Sequence, residues 1–376
     1  MGREPIVIVG GGIGGLTTAL CLLDRGIECA VYERAPEMHE VGSGVGLWPS
    51  AVRVFDRVGL GDQVRALAGE WQVGGVRSRS GTLLNGYRKE QFVRRFGEPM
   101  SGVHRGELQM VLLGALPDGV LHTGYECTGV TQASDDRVEV RFVDRDPVAG
   151  RVVIAADGNK SLVRRTLFDD KPLRDLGILG WRGTLVDPPD YGGFAGEIWG
   201  NGASFGFLPM SNNRVSWFGA ADGSPPATKE FLQERFADWH DPIPQIIATT
   251  PDDMIWWDRT YDLRPRRHWV RGRVALLGDA AHPMSPFLGQ GACQAILDAW
   301  VVADELARSS ADEPGALKRY ERRRRNVASA VQLAAHGGVA AARPRPRAVQ
   351  PLFEASMRVV PNALTLRGLQ LLARGV

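Results

Sequence analysis

The chain has 376 residues, of which 44% are hydrophobic and 23% are charged, and its formal net charge is +2. This length favours two domains, and the composition is that of an ordinary globular protein rather than a disordered or fibrous one. The small net charge decides nothing about nucleic acid by itself, but no nucleic-acid-binding motif is recognisable, so we expect no such partner. The basic run 322–325 is interpreted as one solvated end of a helix.

The four cysteines, Cys21, Cys29, Cys127 and Cys293, lie far apart and lack a C-x-x-C spacing. We interpret them as small buried hydrophobic residues of a reducing compartment, not as disulfide partners or metal ligands. No apolar run reaches the ~18 residues that a membrane-spanning helix needs, and the first residues lack a secretion signal. The expectation is a cytoplasmic protein without a metal site or a transmembrane segment.

The first predicted element is a buried strand over residues 5–9, which runs into a glycine-rich turn and the start of a helix. Gly10, Gly12 and Gly15 have the G-x-G-x-x-G spacing of a dinucleotide-binding turn, and Gly14 lies within it. In that motif the first glycine makes the tight turn, the second lets the backbone approach a pyrophosphate, and the third packs helix against strand. The N–H groups at the start of the helix then face the phosphates.

The second predicted strand, residues 28–32, is followed by Glu33, the acidic residue that the fingerprint places on a ribose diol. A carboxylate here favours FAD or NAD over NADP, because it would repel a 2′-phosphate. Strand, turn, helix and acid all agree, so a glycine-rich turn of purely structural character is the weaker interpretation.

Further along, the pattern predicts helices over 50–68 and 105–117, hairpin strands over 71–95 and short strands over 120–156. The composition changes after about residue 170. Residues 181–257 are rich in aromatic residues, Gly and Pro, and predict a separate sheet with a helix lying on it. Beyond them, the chain returns to a Rossmann-type strand and a long helix. The nucleotide-binding domain is therefore predicted to be discontinuous, with the aromatic sheet inserted into it.

We predict three regions from this order of elements. They are a nucleotide-binding domain of residues 1–70 with 101–170 and 272–333, a substrate-binding sheet domain of residues 71–100 with 171–271, and a helical segment of residues 334–376 that contains an amphipathic helix. The fold class is α/β, with a Rossmann-type domain, an inserted mixed β-sheet and C-terminal helices.

Two further motifs follow predicted strands and open helices. Residues 155–165 contain Asp157-Gly158, and residues 278–299 contain Gly278-Asp279 and then Gly289-Gln290-Gly291. With the first glycine turn, these motifs and their order resemble the class A (single-component) flavoprotein monooxygenases, which have the p-hydroxybenzoate hydroxylase fold. The resemblance covers nearly the whole chain. Within that family, the pattern is similar to FAD-dependent urate hydroxylases and zeaxanthin-epoxidase-like enzymes.

The resemblance implies a bound FAD and NAD(P)H as a transient reductant without its own Rossmann domain. The residues that it assigns to cofactor binding are Gly10, Gly12, Gly14, Gly15, Glu33, Arg34, Gly46, Arg105, Val130, Asp157, Gly158, Gly278, Asp279, Pro286, Gly289, Gln290, Gly291 and Ala292. It puts Asp279 on the ribityl hydroxyls, Arg105 on the ribityl–phosphate region and the backbone at Val130 near the adenine. It implies structural roles for His282 and His104, whereas Arg164 remains open between pairing in its own helix and contacting the cofactor.

The resemblance also implies the chemistry, which belongs to the cofactor. NAD(P)H reduces FAD, O₂ adds to flavin C4a, and the hydroperoxide transfers one oxygen atom to the substrate. No catalytic side-chain nucleophile is expected. Free N–H groups and the dipole of the helix that begins near Gly291 would favour the negative charge that reduced flavin develops at N1 and O2.

The inserted sheet is predicted to form the pocket wall. Its candidate lining residues are Trp181, Arg182, Trp199, Phe205, Phe207, Trp217 and Phe218, although any one aromatic residue among them also fits an ordinary sheet core. Together they indicate an apolar aromatic or polycyclic substrate, and Arg182 could meet a phenolate or carboxylate. Ser204 and Ser216 stand where a urate-type pocket would carry Arg and Tyr, which indicates a more apolar cavity.

Hydroxylation of an aromatic or indolic compound is the first expectation, and epoxidation of an isoprenoid or polyketide is the second. A flavin dehydrogenase or reductase without oxygen insertion is an alternative on the same fold, and a non-catalytic FAD-binding protein is an alternative from another class. The expected partners are the small apolar substrate, O₂ and NAD(P)H, and the expected assembly is a monomer or a homodimer.

Overall fold

The computed structural model describes residues 4–38, 42–134, 136–169, 171–309, 311–346 and 348–373. The strands are β1 (Ile6–Val9), β2 (Cys29–Glu33), β3 (Gly44–Leu47), β4 (Val73–Ser78), β5 (Leu83–Arg88), β6 (Ser101–His104), β7 (Leu121–Thr123), β8 (Cys127–Gln132), β9 (Val138–Phe142), β10 (Arg145–Gly150), β11 (Val152–Ala155), β12 (Arg174–Val186), β13 (Phe194–Trp199), β14 (Ala203–Met210), β15 (Arg214–Asp222), β16 (Ile255–Asp262), β17 (Val270–Arg271) and β18 (Val274–Leu276). The helices are α1 (Ile13–Leu23), α2 (Pro49–Arg57), α3 (Gly61–Ala66), α4 (Lys89–Phe96), α5 (Arg105–Gly114), α6 (Leu162–Leu167), α7 (Lys229–Phe236), α8 (Ile243–Thr249), α9 (Gly291–Arg308), α10 (Glu313–Gly338), α11 (Gln350–Arg358) and α12 (Asn362–Leu372).

The first large sheet has the strand order β17-β18-β11-β1-β2-β7, and all neighbours are parallel except β17 and β18. β1 and β11 are apolar and buried along their whole length, as expected for the middle strands of a parallel sheet covered on both faces. α1 and α9 bury apolar residues in the same hydrophobic core as these strands.

The second large sheet has the order β16-β12-β15-β14-β13-β4-β5 and is antiparallel except for the parallel pair of β13 and β4. Two separate stretches of chain build it, because β4 and β5 precede α4 whereas the other strands lie between α6 and β17. α7 and α8 cover one face and share a hydrophobic core with it.

A short ribbon of β3 and β6 lies between the second sheet and α9. The backbone N–H of Gly44 donates to Ser216 Oγ on the sheet at 2.8 Å. On the other side, Cys293 Sγ on α9 donates to the carbonyl oxygen of Gly46 at 3.4 Å. The ribbon therefore joins the two large sheets through short polar contacts. β8, β9 and β10 form a further antiparallel sheet.

Several elements differ from the sequence prediction. The helix predicted over residues 50–68 is two helices, α2 and α3, with a break around Leu60, which is the N-cap of α3. The hairpin predicted over residues 71–95 ends in α4, since its last residues continue as a helix. The C-terminal segment contains α11 and α12, where one amphipathic helix was predicted. Within the described ranges, no helix has both the length and the apolar character needed to cross a membrane.

The basic run 322–325 is not a helix end, so that prediction is wrong. It lies in the middle of α10, and Arg324 is only 1% exposed. A guanidinium can be buried there because Asp298 on α9 supplies a counter-charge, with Arg324 Nε 2.7 Å from Asp298 Oδ1.

All four cysteines are free thiols, and Cys21, Cys29 and Cys293 are buried. Burial raises the pKa of these three thiols to about 12 and that of the half-buried Cys127 to about 11. This agrees with their interpretation as small hydrophobic residues, and it keeps the thiols protonated near neutral pH.

Candidate active site

The ends of four parallel strands bring the three predicted motifs together. Gly10 follows β1, Glu33 ends β2, Asp157 lies just beyond β11, and Asp279 lies just beyond β18. These strands are parallel neighbours in the order β18-β11-β1-β2, so their carboxyl ends share one edge of the sheet. This is the edge at which open α/β sheets bind ligands.

The glycine turn is tightly packed at two positions and open at a third. Gly10 has a φ of +108°, and a Cβ on it would overlap the carbonyl group of Ala156. A Cβ on Gly15 would overlap the carbonyl oxygen of Gly10. Gly12 has no atom within 4 Å of the corresponding position, and it is the N-cap of α1. The first N–H groups of α1 therefore face a space that a phosphate can enter.

Glu33 fixes this turn. Its carboxylate accepts hydrogen bonds from the N–H of Gly11 at 2.6 Å and from the N–H of Ala35 at 2.9 Å. Gln109 on α5 adds a contact that the sequence did not suggest, because its Nε2 donates to the carbonyl oxygen of Gly11 at 2.8 Å. Arg34, beside Glu33, is exposed. The carboxylate thus orders the turn, and its contact with a ribose stays a prediction.

Arg164 ties the second motif to the third. It is 2% exposed, and its Nη1 donates to the carbonyl oxygens of Asp279 at 3.2 Å and Ala280 at 3.1 Å. Its Nη2 donates to the carbonyl oxygen of Asn159 at 2.5 Å. Arg164 thus joins two motifs through backbone oxygens, and a contact with the cofactor stays an open prediction.

Asp157 presents a buried acceptor without a partner. Its Oδ2 accepts from the N–H of Val163 at 3.2 Å, whereas its buried Oδ1 has no hydrogen-bond partner among the described residues. Burial raises the pKa of this carboxyl, and hydrogen bonding from Ser161 opposes the shift. Buried polar atoms are normally paired, so Oδ1 fits a hydroxyl or N–H donor of a bound ligand.

Asp279 is exposed, yet burial raises the pKa of its carboxyl against the lowering effect of His282, Arg164 and Arg105. A side chain is both accessible and dehydrated when it lines a concave cleft, where many protein atoms surround it while one side stays open. Arg105 is also exposed and belongs to the same electrostatic group. The pair offers an acceptor for hydroxyl groups beside a cation for a phosphate.

The third motif continues into an exposed loop and the start of α9. Pro286 and Gly289 are exposed, and Gly289 has a left-handed φ of +59°. α9 begins at Gly291 with no side-chain cap, and Ala292 in its first turn is half-buried. The N-cap residue Gln290 is buried, and its Nε2 has no partner in the described chain. The helix start therefore offers N–H donors and a positive dipole end to an anionic group.

A buried ionic network lies beneath this loop. Asp298 on α9 accepts from Gly278 N–H at 3.1 Å and lies 2.6 Å from His282 Nε2. Arg324 contacts Asp298 and also donates to Gln294 Oε1 at 2.6 Å. Burial alone would raise the pKa of Asp298, but His282 and Arg324 outweigh it and lower the pKa. His282 is therefore a structural partner that holds the third motif on α9.

Two predicted cofactor residues lie around this edge on other elements. Gly46, on β3, is half-buried and holds the thiol of Cys293 through its carbonyl oxygen. The side chain of Val130, on β8, is 4% exposed, so any contact with an adenine would come from its backbone.

The second sheet has two unlike faces, and the face that packs against α7 and α8 is called the closed face here. Its aromatic residues are Trp181, Phe194, Phe205, Phe207 and Trp217. The Phe205 and Trp217 rings stack with centroids 5.5 Å apart, and Trp217 Nε1 donates to Thr250 Oγ1 at 3.0 Å. The prediction that Trp181, Phe205, Phe207 and Trp217 line a pocket is corrected, because these side chains fill the core under the two helices.

The opposite face, called the open face, carries the alternate residues of the same strands. Arg182, Trp199 and Phe218 lie on it and are not fully buried. Ser204 and Ser216 lie on it as well, and Ser216 Oγ is engaged by the β3 ribbon. Lining of a substrate pocket by these three of the seven candidate residues stays a prediction.

A row across the open face joins an arginine, a phenylalanine, a glycine and a glutamate. Arg182 on β12 pairs with Phe218 on β15, which pairs with Gly206 on β14, which in turn pairs with Glu197 on β13. A Cβ on Gly206 would overlap the Phe218 ring, so the ring lies across this glycine. Only a glycine leaves room for a ring in that position.

The Arg182 guanidinium is accessible but dehydrated. Burial lowers its pKa, Asp258 opposes this effect, and Arg105 adds to it. Arg182 forms no hydrogen bond or ion pair with any residue that the structure describes. The charge of Arg105 contributes to this lowering of the Arg182 pKa, which indicates that the two guanidinium groups lie near each other.

Residues 3–335 match the protein family described as FAD binding domain. The chain belongs to this family. It is 38% identical over 323 residues to the aurachin C monooxygenase/isomerase of Stigmatella aurantiaca, with 84% of each protein covered. It is 35% identical over 344 residues to the 3-amino-4-hydroxybenzoate 2-monooxygenase PtnB3 of Streptomyces platensis, with 85% of this chain and 83% of that protein covered.

The crystal structure of Klebsiella pneumoniae HpxO with FAD and uric acid resembles this fold with a TM-score of 0.89 and 28% identity, over 98% of this chain and 97% of that one. The recognised family, the α/β fold class and FAD as the cofactor are confirmed, and the protein is a FAD-dependent monooxygenase.

The residues at the carboxyl edge fit FAD. The open backbone at Gly12, the unpartnered Oδ1 of Asp157 and the cleft-facing Asp279 match a pyrophosphate and polyhydroxyl chain in charge and in hydrogen-bonding type. Sequence reasoning missed Gln109 and Glu197. Glu197 could have been found from strand alternation, since a charged residue in the interior of an otherwise apolar strand is unusual.

Proposed function

We propose that this monooxygenase uses NAD(P)H and O₂ to hydroxylate an apolar aromatic or indolic small molecule on the open face of the second sheet. The main observation that supports this proposal is that the loop of the third motif packs on that face. Phe287 shares a small hydrophobic cluster with Ile178 on β12 and Ala220 on β15. The cofactor edge and the open face are therefore adjacent.

FAD would be held by the first turn of α1, by Asp157 and Asp279, by Arg105 and by the start of α9. When bound, it supplies electron transfer from NAD(P)H to O₂ and delivery of one oxygen atom. The chain positions the ring and excludes water: the Phe218 ring provides an apolar surface, and α11 covers the adjacent part of the sheet through a stack of Phe353 on Trp199, with centroids 5.9 Å apart.

The relatives support an aromatic substrate, because the name of one of them specifies an aminohydroxybenzoate. Urate itself is disfavoured by this chain's own residues, since Ser204 and Ser216 replace the Arg and Tyr expected in a urate pocket and Ser216 is already hydrogen-bonded to Gly44. The apolar surface of the Phe218 ring favours a carbocyclic or indolic ring.

Oxygen incorporation from ¹⁸O₂ tests this proposal. FAD-loaded protein is incubated with NADH or NADPH and a panel of aromatic and indolic compounds, and products are analysed by mass spectrometry. We expect one labelled oxygen atom in a hydroxylated product, with reductant consumption that the substrate accelerates. Consumption without label would identify a dehydrogenase or reductase, and labelled epoxides from isoprenoid or polyketide compounds would identify the second predicted reaction.

The domain division predicted from the sequence is also proposed here. The two large sheets support it because each draws its strands from the predicted ranges, except that β17 (Val270–Arg271) of the first sheet lies just before the predicted boundary at residue 272. A cytoplasmic location remains a proposal as well, supported by four free cysteines.

A further inference from the structure

Glu197 lies in the interior of β13, on the open face, where most neighbours are apolar. It is half-buried, and the row described above places it beside Gly206 and the Phe218 ring. Strand interiors are depleted in glutamate, and a carboxylate removed from water destabilises a protein unless it is paired. An acid in this position therefore needs a partner.

The protein provides a hydrogen-bond donor for only one of the two carboxylate oxygens of Glu197. Glu197 Oε2 accepts a hydrogen bond from Trp199 Nε1 at 2.6 Å, and Oε1 has no hydrogen-bond partner among the described residues. Burial raises the pKa of Glu197 to about 7, and the Trp199 hydrogen bond opposes the shift only weakly. No charged side chain contributes to that shift.

Several other buried acids among the described residues are paired with arginines. Asp298 contacts Arg324, and Glu305 contacts Arg319 at 2.9 Å and also Arg323. Glu197 differs from them because its one hydrogen bond comes from a neutral indole and one oxygen is left over. Glu197 Oε1 is therefore available to accept a hydrogen bond from a ligand.

The surroundings of Glu197 define the shape of what it can bind. The Phe218 ring lies over Gly206, between Glu197 and Arg182 in the row. Three strand spacings of about 4.8 Å separate the ends of this row, giving about 14 Å between the backbones of Arg182 and Glu197. This row sets the span that a ligand lying over Phe218 between Arg182 and Glu197 would occupy.

We propose that Glu197 determines substrate specificity: its Oε1 accepts a hydrogen bond from an O–H or N–H group of a planar aromatic substrate that lies along Phe218. This inference rests on the proposed function, because it requires the same pocket. It narrows the substrate class to phenols and N–H heteroaromatic compounds. It also excludes a carboxylate at this end of the substrate, since two anions would repel each other.

Pairs of ligands that differ in one donor group test this assignment. The probes are indole with 1-methylindole, and 2-naphthol with 2-methoxynaphthalene. They are titrated into the FAD-loaded protein without NAD(P)H, and the change in flavin absorbance gives the affinity. At about pH 8, above the Glu197 pKa of about 7, we expect the wild type to bind the donor-bearing member of each pair at least tenfold more tightly than its methylated partner, because an ionised acceptor strengthens the hydrogen bond.

Two variants separate recognition from folding. Glu197→Leu should reduce the ratio of affinities to less than threefold, and Glu197→Gln, which keeps the shape, should lower it at least threefold. Glu230→Gln removes one negative charge from exposed α7, beyond the closed face, and should leave the ratio unchanged. FAD content and thermal unfolding verify that each variant is folded.

Equal affinities for the two members of each pair, no binding of the donor-bearing probes, or a ratio that Glu197→Leu and Glu197→Gln both preserve would overturn the assignment. Failure of the proposed hydroxylation gives a different result: the binding ratio would stay intact while no labelled oxygen enters the product.

Discussion

Successive residues of the same strands belong alternately to the closed and the open face of the second sheet, yet the two faces differ in composition and in role. On the closed face, Trp181 and Trp217 are at most 1% exposed and belong to a continuous hydrophobic core. On the open face, Gly206 makes room for Phe218, and the charged Arg182 and Glu197 are only partly enclosed. The large aromatic residues of the closed face stabilise the sheet, whereas a glycine on the open face makes room for a ring that a ligand can contact.

This difference shows that aromatic content alone does not locate a binding site. Burying an aromatic side chain contributes most when every surface is covered, so a complete aromatic cluster favours a core. A pocket requires an incomplete cluster, in which small residues leave some aromatic surface uncovered. Three predictions test the contrast, beginning with the largest expected effect.

Trp217→Ala should lower the free energy of unfolding by about 3–5 kcal/mol, because it leaves a cavity in the closed-face core and removes the donor to Thr250. Phe218→Ala, one residue along the strand, should lower it by less than about 2 kcal/mol, since its ring is only half-buried. Urea unfolding gives both values. If Phe218→Ala were the more destabilising change, the assignment of the closed face as the hydrophobic core and of the open face as the pocket wall would be wrong.

Asp279→Ala should weaken FAD binding at least tenfold while leaving the free energy of unfolding of the apoprotein nearly unchanged or slightly higher. Its carboxylate faces the cleft and burial raises its pKa, so the side chain contributes to the ligand rather than to the fold. FAD fluorescence on binding measures the affinity. A variant that retains as much flavin on purification as the wild type would contradict the role of this residue.

The pH dependence of stability should reveal the dehydrated acid of the open face. Glu197 has a pKa of about 7 in the folded chain against 4.5 ordinarily, so between these values the folded protein holds a proton that the unfolded chain releases. The free energy of unfolding should therefore fall as pH rises from about 5 to 8, by on the order of 2 kcal/mol. Urea unfolding of the wild type and Glu197→Gln isolates this contribution, because the free energy of unfolding of the wild type minus that of the variant should fall over that range; a constant value of this difference would contradict it.

The first sheet was largely predictable because its signals are local. Strand, glycine turn and helix follow one another within a few residues at Gly10–Gly15, and the two later motifs repeat the arrangement at Asp157 and Asp279. Parallel pairing then places all three at one edge without further information. The sequence could not show that Arg164 joins two of them, because its partners are backbone oxygens of a loop more than a hundred residues away.

The second sheet was predictable as a sheet, but the sequence did not show which of its faces is covered by helices and which one faces the cleft. Alternation along β14 and β15 separates Phe205 and Trp217 from Ser204 and Phe218, so the two sets could be read from the sequence. Which set meets a ligand depends on where α7 and α8 pack, and this is a tertiary choice. The same limit applies to the basic run 322–325, since Arg324 has its counter-charge on α9, in another part of the chain.

The reactivity of the four thiols depends on whether the protein is folded. Each has a pKa of about 11 or 12, so the nucleophilic thiolate is scarce while the fold persists. Alkylating reagents and hydrogen peroxide should therefore react slowly with these thiols in the folded protein. Rapid labelling of the thiols would then measure the fraction of molecules that have unfolded.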